Sequence, residues 1–200
     1  MRLDRPGMVG YHSRVPITCQ DASFAMSLNR TFIAAKVPST PELEEVLDWL
    51  GRLGPGVRPV RPDGLHVTLK FLGETAGGQV EEIIELLRDT VSAWDSFELV
   101  FQGIGRMPPR RPRVIFADLA DPDRQVPLVA GPAAAIEEAM VGLGFDAETR
   151  PFRPHLTLAR IRSCPGGELE EIRLAYEEVI LAEVSCDHFE LIGSDLGPGG

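Results

Sequence analysis

Two histidines in this chain are each followed, two residues later, by a threonine: His66-Val67-Thr68 and His155-Leu156-Thr157. In a β-strand, residues i and i+2 point to the same face. His66 would therefore project with Thr68 and His155 with Thr157, while Val67, Leu69, Leu156 and Leu158 point into a core. If the two segments face one another across a cleft, the arrangement suits attack at phosphorus. One imidazole takes a proton from the incoming oxygen and the other gives one to the departing oxygen. An unperturbed pKa of roughly 6.5 permits either part. The two hydroxyls would donate to non-bridging phosphate oxygens, with Arg160 as electrostatic reinforcement. In-line displacement sets the attacking and leaving oxygens on opposite sides of phosphorus, so acid and base belong on opposite walls.

A lone histidine on a strand is more often structural than catalytic, and His12 and His188, neither with Thr at i+2, are read that way. The duplication is what reverses the odds. Arg61-Pro62-Asp63-Gly64-Leu65-His66-Val67-Thr68-Leu69 aligns with Arg150-Pro151-Phe152-Arg153-Pro154-His155-Leu156-Thr157-Leu158 at a constant offset of 89 residues (66 to 155), with Arg, Pro, His, Thr and the final Leu coinciding. So long a spacing excludes a solenoid and implies two related halves.

The remaining chemistry-bearing residues point elsewhere only weakly. There is no HExxH, no cysteine pair and no carboxylate cluster beside the histidines, so no metal or other cofactor is expected. Gly193-Ser194-Asp195-Leu196-Gly197 is not a GxSxG elbow, and the paired glycines at 103/105 and 142/144 lack the rest of a phosphate loop. Three widely spaced cysteines (Cys19, Cys164, Cys186) support no disulfide framework and fit a reducing cytoplasm.

A net charge of −10 argues against a broad duplex-DNA binder, but the basic residues are unevenly placed. Of 20, only Lys36 and Lys70 are lysines. Arg106, Arg110, Arg111 and Arg113 lie in one stretch without an acid (Leu99 to Phe116), and Arg150, Arg153, Arg160 and Arg162 in another (Thr149 to Ser163). Guanidinium forks match phosphate oxygens in bidentate fashion, so Arg110 and Arg111 become candidate substrate-binding residues.

These side chains need elements to position them. Residues 1–26 are polar and aperiodic, read as a flexible tail without a signal peptide, and no apolar run spans a bilayer. A strand at Thr31–Val37 opens the folded part. Thr40-Pro41 starts a helix whose apolar face is Leu43, Val46, Leu47, Leu50 and Leu53, ended by Gly54. A second helix carries Val80, Ile83, Ile84, Leu87, Val91 and Trp94. A third is predicted from Pro132, burying Ile136, Met140 and Leu143, and a fourth over Glu168–Glu178. Strands are predicted at Leu65–Leu72, Phe97–Ile104, Val114–Leu119, His155–Ile161 and Ile180–Ile192. The Pro/Arg-rich link between the second and third of these is too short for a parallel crossover, so the class is α+β with antiparallel pairing.

With these residues in view, the motifs in HVTLKFLG and RPHLTLAR resemble the 2H phosphoesterase superfamily, and within it the RNA 2′,3′-cyclic phosphodiesterases, also called 2′-5′ RNA ligases. The likeness runs from about Arg30 to Pro198 and takes in RTFIAAKVP, FLGE, GIGRMPPRRPRVIFADL and LIGSDLGPGG. It implies a bilobed pseudo-twofold fold over residues 27–198, mainly antiparallel sheets with helices outside and a central cleft; relatives carry one more strand after the Gly-Pro-Gly region, which is expected to be missing here. It implies a cytoplasmic, monomeric enzyme opening the 2′,3′-cyclic phosphate at an RNA 3′ end, tRNA fragments among them, to a 2′-phosphomonoester, with weak reversible 2′-5′ ligation. By the same likeness His66 is the proton donor, His155 the acceptor, Thr68, Thr157 and Arg160 hold the phosphate, and Phe152 stacks on the terminal base. The competing readings are a 2H enzyme for a small cyclic nucleotide and a non-catalytic RNA-end-binding protein.

Overall fold

The computed structural model describes residues 17–19, 29–163 and 166–194. Nine strands form two sheets. The four-stranded sheet has the order β1(Ile17–Cys19), β9(Phe189–Ser194), β2(Asn29–Lys36), β4(His66–Thr75), and the five-stranded sheet the order β3(Val57–Pro59), β7(Leu156–Ile161), β6(Val114–Leu119), β5(Phe97–Met107), β8(Ile180–Cys186). All pairings are antiparallel except β1 with β9. The described residues also form four α-helices: α1(Pro41–Arg52), α2(Val80–Val91), α3(Pro122–Gly142) and α4(Gly166–Ala175). This is the expected α+β class.

The two halves exchange their helices. The strand β4 belongs to the first sheet, yet α1, which precedes it in the chain, packs on β3, β7 and β8 of the second. The strand β7 belongs to the second sheet, yet α3, which precedes it, packs on β4 and α2. Each motif strand is thus backed by the helix that introduces the other, and the buried apolar residues of both halves form one continuous core.

Helix α1 follows its sequence signals. Thr40 caps it by accepting from the Leu43 N–H at 3.2 Å, Pro41 opens it, and Leu43, Val46, Leu47 and Leu50 are buried. Gly54, at φ +104°, supplies the left-handed residue beyond its end. Helix α3 begins ten residues earlier than its prolines suggest, at Pro122 rather than Pro132. Pro127 and Pro132 each delete one intrahelical hydrogen bond. Asp121 caps the start through the Arg124 N–H, and burial of Val129, Pro132, Ala133, Ile136 and Met140 holds the helix through both interruptions. Gly131 is required there: a Cβ would lie 2.4 Å from the Trp94 ring, so its absence lets the tryptophan that trails α2 lie against α3.

Three further features differ from the sequence pattern. The Ile180–Ile192 run is two strands in different sheets, because the chain crosses between lobes at Asp187-His188. Strand β3 has too few residues, and a proline, to show any period. Within the tail, Ile17–Cys19 pairs with β9 in parallel register; the rest of residues 1–26, Cys164 and the chain after Ser194 lie outside the described residues.

One buried charge joins the halves. Lys70, at the fifth position of β4 and 3% exposed, donates to Glu137 on α3 (3.0 Å) and to the carbonyl of Asp146. Glu137 also accepts from the Glu148 N–H at 2.8 Å. The carboxylate therefore links β4 to the segment that leads into the second motif. Removing one partner of such a pair strands a charge in low dielectric. Glu137→Ala is expected to destabilise the protein by about 3 kcal/mol in urea denaturation, and Lys70→Met together with Glu137→Leu by clearly less.

Candidate active site

The strand alternation that buries Val67, Leu69, Leu156 and Leu158, all at 6% exposure or less, leaves His66, Thr68, His155 and Thr157 half-buried on the opposite face. Both motif strands then bulge at the same place. Against β2, Ile33 pairs with Lys70 and Ala34 with Thr68, which leaves Leu69 unmatched; against β6, Ile115 pairs with Ala159 and Phe116 with Thr157, which leaves Leu158 unmatched. A bulge bends the strand and re-aims the side chains beyond it. Here it returns Phe71 and Arg160 to the exposed side. Strand β4 is an edge strand, and β3 covers only the Ala159–Ile161 end of β7. The two motif strands meet at the edges left open.

Each imidazole is held the same way. His66 Nδ1 lies 2.7 Å from the carbonyl oxygen of Gly64, and His155 Nδ1 lies 2.8 Å from that of Arg153. A carbonyl can only accept, so Nδ1 carries the proton in both rings. Nε2 is then the atom left to take or give one. Aromatic rings fix the planes: Phe32 lies 4.8 Å from His66 between centroids, and Phe116 meets His155 edge-on at 5.5 Å. Gly105 makes room for Phe116, since a Cβ there would approach its ring to 2.4 Å. Among the described residues neither Thr68 nor Thr157 spends its side-chain hydroxyl on a protein partner.

Electrostatics brings the two motifs and Arg160 into one site. Burial lowers the His66 pKa from its ordinary value; the Gly64 hydrogen bond opposes this, while the charges of Lys36, Arg160 and His155 push it further down. His66 thus senses both His155 and Arg160. Arg58 lies directly opposite Arg160 in the β3–β7 ladder.

Other predicted residues lie elsewhere. Phe152 is 36% exposed in the loop before β7 and makes no ring contact among the described residues. Arg110 and Arg111 sit on the β5–β6 hairpin, at the far end of β7 from His155, and the fold does not bring them to the histidines. Arg150 is held by Glu148, one residue outside the acid-free stretch, through two hydrogen bonds at 3.0 and 2.9 Å, which lower the Glu148 pKa to about 2. Arg153 lies over the Phe116 ring at 5.2 Å. His188 is paired with Asp187. The sequence reading missed Phe32, Lys36, Arg58 and Phe116. Phe32 and Lys36 were recoverable, since they alternate with the apolar Ile33, Ala35 and Val37; Arg58 was hidden with β3.

A model of the LigT-like phosphoesterases matches residues 37–116 and 124–200. The chain belongs to this family. It is an enzyme, a 2H phosphoesterase. Similar proteins include the RNA 2′,3′-cyclic phosphodiesterases of Methanothermobacter thermautotrophicus, 28% identical over 86% of this chain and 92% of that one, and of Archaeoglobus fulgidus, 29% identical over 86% and 94%. Among solved structures, TT0787 of Thermus thermophilus superposes with a TM-score of 0.65 at 28% identity, covering 86% of this chain and 91% of the other. Escherichia coli LigT, solved with 3′-AMP, shares the fold with a TM-score of 0.63 at 23% identity, over 87% and 92%. Among the described residues no helix is long and apolar enough to cross a membrane, and no group of three or more His, Cys, Asp or Glu gathers as a metal site would require.

The burial of His66 gives a direct expectation. Followed by NMR, its ring should titrate below roughly 6.5, and saturating inorganic phosphate should raise the midpoint, because an anion favours the imidazolium. A free-protein midpoint at or above roughly 6.5 would contradict the site as described.

Proposed function

We propose that this phosphoesterase hydrolyses the 2′,3′-cyclic phosphate at an RNA 3′ end to a 2′-phosphomonoester by paired-histidine acid–base catalysis. The observation that carries the reading is the duplicated clamp, in which each Nδ1–H is tied to the carbonyl two residues back and each Nε2 is left for proton transfer. The names of the relatives support the choice of substrate, as does the mononucleotide bound in the LigT complex with 3′-AMP.

In this reading the cyclic phosphate lies between Thr68 and Thr157, whose hydroxyls donate to its non-bridging oxygens, with Arg160 facing the charge that develops on them. His155 takes a proton from water as its oxygen bonds to phosphorus. The bond to the 3′-oxygen breaks on the opposite side, and His66 gives that oxygen its proton. Burial keeps the free His66 on the neutral side, so the donor role depends on the phosphodiester anion, whose charge favours the imidazolium. Phe152 would stack on the terminal base by moving its exposed ring inward. With a 5′-hydroxyl in place of water as the nucleophile, the same groups would give a weak, reversible 2′-5′ ligation. The protein acts as a monomer in the cytoplasm.

His66→Ala and His155→Ala should each lower kcat by roughly 10²–10⁴ with circular dichroism unchanged. Leaving-group chemistry separates their roles. A nucleoside phosphodiester with a nitrophenolate leaving group needs no proton, so His66→Ala should lose far less on it than on a cyclic phosphate, whereas His155→Ala should lose as much on both. The opposite pattern would exchange acid and base. Wild-type turnover in either variant would remove both from the reaction.

Activity should also survive EDTA. Loss on chelation, restored by one divalent ion, would place a metal in the reaction.

A further inference from the structure

Four arginines at the far end of β7 have no role in the chemistry above. An open groove of about 610 Å³ separates the β5–β6 hairpin from α4. Its walls carry Arg106, Arg110, Arg111, Arg113 and Arg162 over apolar Ile161 and Leu169. Arg106 reaches a carboxylate, Glu170 at 3.3 Å. Among the described residues Arg110, Arg111, Arg113 and Arg162 have none. In a chain of net charge −10, four guanidiniums without acidic partners among the described residues share one groove. Their mutual repulsion within a Debye length raises the local positive potential, and an anion offsets it.

The groove is also connected to the active site. Beyond the bulge, Arg160 and Arg162 are exposed while Ile161 between them is buried, so both arginines stand on the same side as Thr157. A cationic track therefore follows β7 from His155 to the groove, over roughly 20 Å at the usual rise of an extended chain. A mononucleotide seated between the histidines ends short of that distance. A polymer reaches it.

We propose that this groove is a second phosphate-binding site, holding backbone phosphates of an RNA strand upstream of the terminal nucleotide. The proposal rests on the reaction given above and selects oligonucleotide ends over small cyclic nucleotides as substrate. The groove reads charge, not sequence, since guanidinium contacts to phosphates carry no base information.

The test uses the full chain and a fluorescent single-stranded oligoribonucleotide ending in a 2′-phosphate, which the enzyme cannot hydrolyse further, so binding is read by anisotropy independently of turnover. With about −0.7 per single-strand phosphate, three contacts give a slope of about −2 in log K against log salt, and affinity falls about 16-fold over a fourfold rise in salt. Arg110→Gln/Arg111→Gln, both exposed on the hairpin, should flatten the slope by about 1.4, and Arg110→Lys/Arg111→Lys should retain it. The Gln pair should also lower the ratio of kcat/KM on the cyclic-ended oligonucleotide to that on a cyclic mononucleotide by about tenfold. An unchanged slope in the Gln variant would overturn the proposal, and so would equal losses on oligonucleotide and mononucleotide. Competition by inorganic polyphosphate as strong as by RNA of equal charge would overturn the assignment to RNA. A chain that hydrolyses neither substrate, yet loses salt-dependent RNA binding in the Gln variant, would keep the groove and overturn the reaction.

Discussion

Burial of Val67 and Leu69 on β4, and of Leu156 and Leu158 on β7, leaves the intervening histidines and threonines only one face to occupy. Each of these apolar side chains is worth about 1.5–3 kcal/mol when removed from water. A one-residue slip in either strand would turn all of them outward and drive imidazole and hydroxyl into the core. The geometry of the two motifs is thus locked by side chains that face away from them. The bulges at Leu69 and Leu158 then break the alternation in a controlled way, so that Arg160, three residues beyond Thr157, stays on the exposed side.

The same constraint explains why two lobes are needed. A single strand can present one His-x-Thr, but acid and base on opposite sides of phosphorus require two strands meeting at open edges. The exchange of α1 and α3 holds those edges together, because each helix packs on the sheet of the other half. Lys70 strengthens the junction. Its ammonium, withdrawn from solvent, binds Glu137 on the exchanged helix and a carbonyl in the segment before the second motif. Interlocked halves make the separation of the two imidazoles a property of the whole core.

The near-symmetry is broken in its electrostatics. Both rings share the carbonyl clamp, and at His66 burial and cationic neighbours favour the neutral form. The position after the bulge differs as well: Phe71 on β4, 59% exposed and packed on Phe32, corresponds to Arg160 on β7. At this position one wall is therefore aromatic and the other cationic. That difference gives two copies of one motif unlike surroundings, as the proposed division into acid and base requires.

Much of this was legible in the residues alone. His66, Thr68, His155 and Thr157 follow from a spacing of two on apolar-backed strands and from their repetition, which are local properties that need no partner to be read. Helix α1 was equally plain, since its cap and its stripe lie within or beside its own span and Gly54 follows directly. Helix α3 was not: two prolines read locally as breaks, while the packing of Ile136, Met140 and Gly131 against distant elements overrides them. Strand β3, and with it Arg58, exists only because β7 is there to pair with. Arg150, in an acid-free stretch by sequence, is neutralised by Glu148 once the loop folds, whereas Arg110, Arg111, Arg113 and Arg162 gather from separate segments into one groove. Residue type and local period were enough to say which side chains could move protons and bind phosphate. Folding alone settled which of them meet, which cations lie beside a carboxylate and how far His66 is desolvated, because distance and burial are properties of the packed chain.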